Sequence, residues 1–120
     1  MHGDLAARNV LLTENNVIKL CDFGLARTIY ENCYYTKKTD VPLPMKWMAI
    51  ESIENMVFTT KSDVWSFGVV MWELFTLSET PYSNIQSHHL LQMLLEGYRL
   101  NRPVYATQEM SLNSNNIFKL

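Results

Sequence analysis

The chain has 120 residues, 48% hydrophobic and 18% charged, a balance that suits a small globular domain and excludes a disordered polar tail. Its net charge of −2 gives no electrostatic attraction to nucleic acid or to an anionic membrane surface. Two cysteines, Cys21 and Cys33, lack metal-ligand spacing and make no disulfide framework, so a reducing intracellular setting is expected.

Nothing in these residues has the basic-then-apolar form of a secretory leader, and no apolar run approaches about eighteen residues. A soluble chain is therefore expected. Its first stretch, His2-Gly3-Asp4-Leu5-Ala6-Ala7-Arg8-Asn9, sets an Asp and an Asn with four residues between them. A second Asp, Asp22, precedes Phe23-Gly24. Phosphoryl transfer needs such a set: one carboxylate to accept a hydroxyl proton, and an amide oxygen and a second carboxylate to hold magnesium against nucleotide phosphates. Any one of these residues alone is more commonly a turn former or a helix cap.

Between the two motifs, Val10-Leu11-Leu12-Thr13 and Val17-Ile18-Lys19-Leu20-Cys21 flank Glu14-Asn15-Asn16. Two β-favouring runs around an Asn-containing turn predict a short hairpin. The hairpin is positional in function, because it returns Asn9 and Asp22 to the same end. Residues 22 to about 47 show little periodicity and read as a long functional loop. Tyr30, Tyr34 and Tyr35 lie in it beside Arg27, Lys37 and Lys38. Such tyrosines are poorly explained as core. Phosphorylation there adds nearly two negative charges, which a guanidinium can bind and so order the loop.

Thr60-Lys61-Ser62-Asp63 has the form of a capping box, with Thr60 as N-cap and Asp63 three residues on. The run Val64 to Phe75 behind it is apolar on nearly every face, which predicts a helix buried all round at the centre of the fold. Thr80-Pro81-Tyr82-Ser83 predicts a turn. Gln86 to Glu96 predicts a further helix, stopped by Gly97. His88 and His89 sit about 100° apart on that helix, wrong for a shared metal, and read as surface or partly buried residues.

Taken together, the motifs at residues 2–9 and 22–24 resemble the catalytic loop and magnesium motif of protein kinases. The Ala6-Ala7-Arg8 insert and Pro42-Leu43-Pro44-Met45-Lys46-Trp47-Met48-Ala49-Ile50-Glu51 resemble the tyrosine-kinase forms, with Ile50 in place of a proline and Gly3 in place of an arginine. The Gly3 substitution, the Tyr34-Tyr35-Thr36-Lys37-Lys38 cluster and Phe58-Thr59-Thr60-Lys61-Ser62-Asp63 look most like insect receptors of the torso type, related to the PDGF/VEGF-receptor group. The resemblance implies a mainly α fold with a small β-hairpin: a partial kinase C-lobe over residues 2–110, without the N-lobe or the last C-lobe helices. Residues 111–120 fall outside it as a disordered tail.

The same resemblance implies transfer of the ATP γ-phosphate to protein tyrosine in the parent receptor. Asp4 would be the catalytic base, and Arg8 would steady phosphate and substrate. Asn9 and Asp22 would hold Mg2+. Leu11 would floor the adenine pocket, or simply pack in the core. Tyr30, Tyr34 and Tyr35 would be phosphorylated; His2 would stack on Phe23 beside Gly24; Asp63 would bond the backbone near His2; and Glu51 would take an ionic partner. With Gly3 unable to meet a phosphate, loop ordering is expected to fall to Arg27. Protein tyrosine substrates, the receptor itself in trans and a homodimer are the implied partners, with no nucleic acid, on the cytoplasmic side of the plasma membrane. No Gly-rich phosphate loop or strand Lys stands ahead of His2, so the 120 residues themselves are expected to be an inactive piece of a receptor kinase. The alternative is a non-catalytic interaction module or phosphorylation substrate from a truncated gene product.

Overall fold

The longest element among the described residues is a helix of 16 residues, Thr60–Phe75 (α2). The computed structural model describes residues 1–24 and 43–106, together with the backbone of Tyr35–Thr36 and Phe118–Lys119. α2 starts at an N-cap one residue earlier than the sequence pattern suggests. Thr59 has extended dihedrals, and its hydroxyl accepts from the amides of Lys61 and Ser62 at 3.1 and 3.2 Å. Ser62 Oγ returns the favour by accepting from Thr59 N at 2.8 Å. Thr60 is already helical, so the box is Thr59 with Ser62, and the Asp63 carboxylate is left for another partner.

The helix is also not buried all round. Ser66, Val69, Val70 and Trp72 face inward, whereas Val64, Phe67 and Leu74 are 49%, 55% and 52% exposed. An apolar composition dictates that a helix can be buried, but neighbours decide which faces are.

Two shorter helices, Ile50–Asn55 (α1) and Ser87–Leu95 (α3), pack on each other. α1 ends at Met56, which adopts a left-handed conformation. α3 ends in a Schellman motif around Gly97, whose φ is +93°. Gly97 N donates to Leu94 O at 3.1 Å and Tyr98 N to Met93 O at 2.9 Å, which satisfies two carbonyls that the helix end leaves open. The core between the helices consists of Met48, Ile53, Phe58, Val69, Trp72, Tyr82, Leu90, Leu94 and Leu100.

The strands among the described residues are short, two or three residues each. Val10–Leu12 (β1) and Ile18–Leu20 (β2) form the antiparallel hairpin, with Leu11 opposite Lys19. Asn16 takes the left-handed conformation that its turn requires, with φ +58°. Within the stretch read as loop, the backbone of Tyr35–Thr36 (β3) pairs antiparallel with Val57–Phe58 (β4). The backbone of Leu100–Asn101 (β5) pairs in parallel with that of Phe118–Lys119 (β6). The remainder of the 111–120 tail lies outside the described residues.

Candidate active site

The first residues of the chain are held by α2. Asp63 accepts from His2 N at 2.8 Å through Oδ2 and from Gly3 N at 3.0 Å through Oδ1. Gly3 has φ +82°, a conformation that L side chains rarely adopt. The buried His2 ring then works in two directions. Its Nδ1 accepts from Asp4 N at 3.2 Å, and its Nε2 lies 3.1 Å from Cys21 O. The tautomer with hydrogen on Nε2 satisfies both contacts. Against the same ring lies Phe23, with centroids 4.9 Å apart and planes tilted by 55°.

Asp4 is gripped from the 3₁₀ turn Ala7–Asn9 that follows. The buried Asn9 donates its side-chain amide to Asp4 O at 2.8 Å and to Asp4 Oδ2 at 3.1 Å. Arg8 Nη2 donates to the other carboxylate oxygen, Oδ1, at 2.6 Å. The Arg8 guanidinium also lies over the Trp47 ring, 4.7 Å from its centroid. Both oxygens of Asp4 are thus fixed in direction, and the carboxylate is aimed by its neighbours rather than free to rotate.

The hairpin supplies the third group. Cys21 N donates to Asn9 O at 2.9 Å, just beyond the pairing of Val10 with Leu20. Asp22 is therefore the first residue to leave the ladder on the Asn9 side. It has φ +56°, and its Oδ1 accepts from Gly24 N at 3.3 Å. A Cβ on Gly24 would lie 3.1 Å from that same oxygen, so a larger residue there would press on the carboxylate.

Asn9 spends its amide hydrogens on Asp4 and keeps Oδ1 as an acceptor; Asp22 keeps Oδ2. An amide oxygen and an exposed carboxylate are both hard oxygen donors, the type of ligand that Mg2+ takes.

Leu11 and Glu51, also singled out from the sequence, make none of these contacts. Leu11 is 51% exposed on β1 and takes no part in the described core. Glu51 stands in the first turn of α1, and among the described residues it makes no ion pair. Tyr30, Tyr34 and Arg27 lie outside the described residues, and of Tyr35 only the backbone strand is described.

Two residues at the site were not picked out from sequence, Trp47 and Glu73. Glu73 is buried on α2, and its Oε2 accepts from Ala7 N and from Trp47 Nε1, each at 2.8 Å. A single acid inside an otherwise apolar helical run was the available signal, since a buried charge demands partners.

The family model for protein tyrosine and serine/threonine kinases matches residues 1–115. The chain belongs to this kinase family. It is 55% identical over 111 residues to vascular endothelial growth factor receptor 1 of Mus musculus, covering 92% of this chain and 8% of that receptor. It is 54% identical over 110 residues to the fibroblast growth factor receptor of Halocynthia roretzi, covering 92% of this chain and 14% of that receptor. The chain thus spans only a small part of the length of the curated relatives it matches. Within the kinase family it is a tyrosine kinase domain segment, related to the VEGF and FGF receptor kinases. Among its described residues, no helix is long and apolar enough to cross a membrane.

Proposed function

We propose that the protein carrying this kinase segment transfers the γ-phosphate of ATP to tyrosine hydroxyls of proteins, with Asp4 as general base. The observation that supports this best is the convergence on one carboxylate. Asn9 and Arg8 take one oxygen of Asp4 each, while the Cys21–Asn9 backbone bond carries Asp22 to the same end of the hairpin. ATP and Mg2+, when bound, supply the phosphoryl group and neutralise its charge.

The chain's own residues do the positioning. Asp4 accepts the proton of the incoming phenol. Arg8, about half exposed, steadies the phosphate and substrate beside it. Asn9 and Asp22 hold the metal through oxygens that their other bonds leave open. Leu11 offers an apolar surface under the adenine, consistent with its exposure. Tyr30, Tyr34 and Tyr35 are the phosphorylation sites of the loop; Arg27 orders it once phosphorylated, and Glu51 takes an ionic partner in the parent.

Residues 2–110 form part of the larger, mainly helical lobe of a receptor kinase, and 111–120 lie outside it. The parent is of the torso-like insect type. It acts as a homodimer at the cytoplasmic face of the plasma membrane and phosphorylates itself in trans as well as other protein tyrosines.

The test is Asp4→Asn in the full-length protein. Asn is isosteric and keeps an acceptor oxygen for one of the two donors, Arg8 or Asn9, but cannot take the phenol proton. Tyrosine phosphorylation should fall to near background at unchanged ATP affinity. Retained turnover would overturn the assignment.

A further inference from the structure

Glu73 deserves a role because of what its single oxygen joins. Oε2 accepts the Ala7 amide and the Trp47 indole, both at 2.8 Å, from two segments 40 residues apart in the chain. The carboxylate is buried, so both bonds are charge-assisted and poorly replaced by water. Trp47 is held a second time by the same helix: Ser66 Oγ, two turns before Glu73, donates to Trp47 O at 2.7 Å. Backbone and indole are both fixed to α2, which leaves the ring no freedom to turn.

That ring is the floor on which Arg8 rests. The guanidinium lies 4.7 Å from the ring centroid, and its Nη2 reaches Asp4 Oδ1 at 2.6 Å. A cation over an indole is attracted to the ring face, so the direction of the indole sets the direction of the guanidinium. The Ala7 amide held by Glu73 opens the 3₁₀ turn that carries Arg8 and Asn9. One carboxylate therefore controls both supports of Asp4, the turn from below and the stacked arginine from the side.

We propose that Glu73 is a positioning residue for the transfer reaction: it orients Arg8, and through it Asp4, by locking the Trp47 indole and the Ala7 amide. The proposal rests on the reading of Asp4 as the base. Glu73 itself touches neither substrate nor nucleotide in this scheme. Its removal misaims groups that do.

The experiment uses the full-length kinase with Glu73→Gln, Trp47→Phe and the double variant. Gln keeps the shape and an acceptor oxygen but loses the charge. Phe keeps a ring under Arg8 but loses the indole donor. Each single change should lower kcat roughly 10- to 100-fold, the range that small misplacements of reacting groups produce, at little change in the KM for ATP. The double variant should be no worse than the poorer single one, because both changes act on the same bond.

A second readout does not depend on turnover. The Trp47 indole Nε1–H resonance should move upfield in Glu73→Gln, because a neutral amide oxygen accepts more weakly than a carboxylate, and the Arg8 side-chain resonances should move with it. Additive losses in kcat, or a lowered melting temperature with kcat unchanged, would overturn the proposal. Should Glu73→Gln fail to fold, Trp47→Phe must still show the kcat loss and the moved Arg8 resonances. If Asp4→Asn stays active while the resonances move as described, the failure belongs to the assignment of the base and not to the Glu73 linkage.

Discussion

Asp63 accepts the amide protons of both His2 and Gly3, one on each carboxylate oxygen, at 2.8 and 3.0 Å. Helix α2 thus holds the His2–Gly3 segment on its first turn. Replacing Asp63 by Ala leaves two part-buried amides without acceptors, and an unsatisfied buried donor costs about 1–3 kcal/mol. Asp63→Ala should therefore lower the unfolding free energy by at least about 2 kcal/mol, read from urea midpoints at constant m. A loss confined to a few tenths would mean that water replaces the carboxylate.

The helix cap separates two neighbouring threonines. Thr59 accepts from the second and third helical amides, while Thr60 is exposed and already helical. Thr59→Ala should cost about 1 kcal/mol, the usual value of a lost N-cap, and Thr60→Ala close to nothing. Reversed costs would restore the box on Thr60 and Asp63.

Gly3 stands at φ +82° with its amide on Asp63. Any residue with a Cβ pays for that conformation with about 1–2 kcal/mol. Gly3→Ala should be destabilised by that amount in the same unfolding experiment, and Gly3→Arg by at least as much. An Arg at this position that costs nothing would show that the loop relaxes to a negative φ.

Tyr82 titrates in a way that can be followed by pH. Burial pushes its phenol up from 10.0 to about 12, with Arg99 pulling the other way and Tyr98 adding to the rise. Its hydroxyl finds no hydrogen-bond partner among the described residues. The unfolded chain therefore loses this proton at lower pH than the folded one. The contribution is fully present below pH 10 and is lost as pH rises from 10 towards 12. Stability of the wild type should decline across that window relative to Tyr82→Phe, which should itself be neutral or slightly stabilising near pH 7 because an unpaired buried hydroxyl is removed. Parallel pH profiles for the two proteins would contradict this.

What the sequence made legible were the features set by local chemistry. The hairpin could be read because Asn15-Asn16 offers a left-handed residue between β-favouring runs, and Asn16 takes that conformation. The end of α3 could be read because Gly97 alone tolerates its φ. The capping box slipped by one residue because Thr59-Ser62 and Thr60-Asp63 satisfy the same pattern, and only the partner of Asp63, some 60 residues away, decides between them. The same limit hid Glu73 and Trp47: the contact joining them spans 26 residues, and neither residue advertises it. The pairing of β3 with β4 is likewise non-local. Exposure of Val64, Phe67 and Leu74 follows from where neighbours stand, which composition does not record.

Two acids on α2, Asp63 and Glu73, grip the same short loop at His2–Gly3 and at Ala7. Ten residues of helix separate them, about 15 Å of rise. The helix is therefore a ruler as well as a core element. Inserting or deleting one residue between positions 63 and 73 would swing one acid by about 100° around the axis relative to the other, and no single loop could meet both. The spacing between these carboxylates is as strict a requirement as their charge.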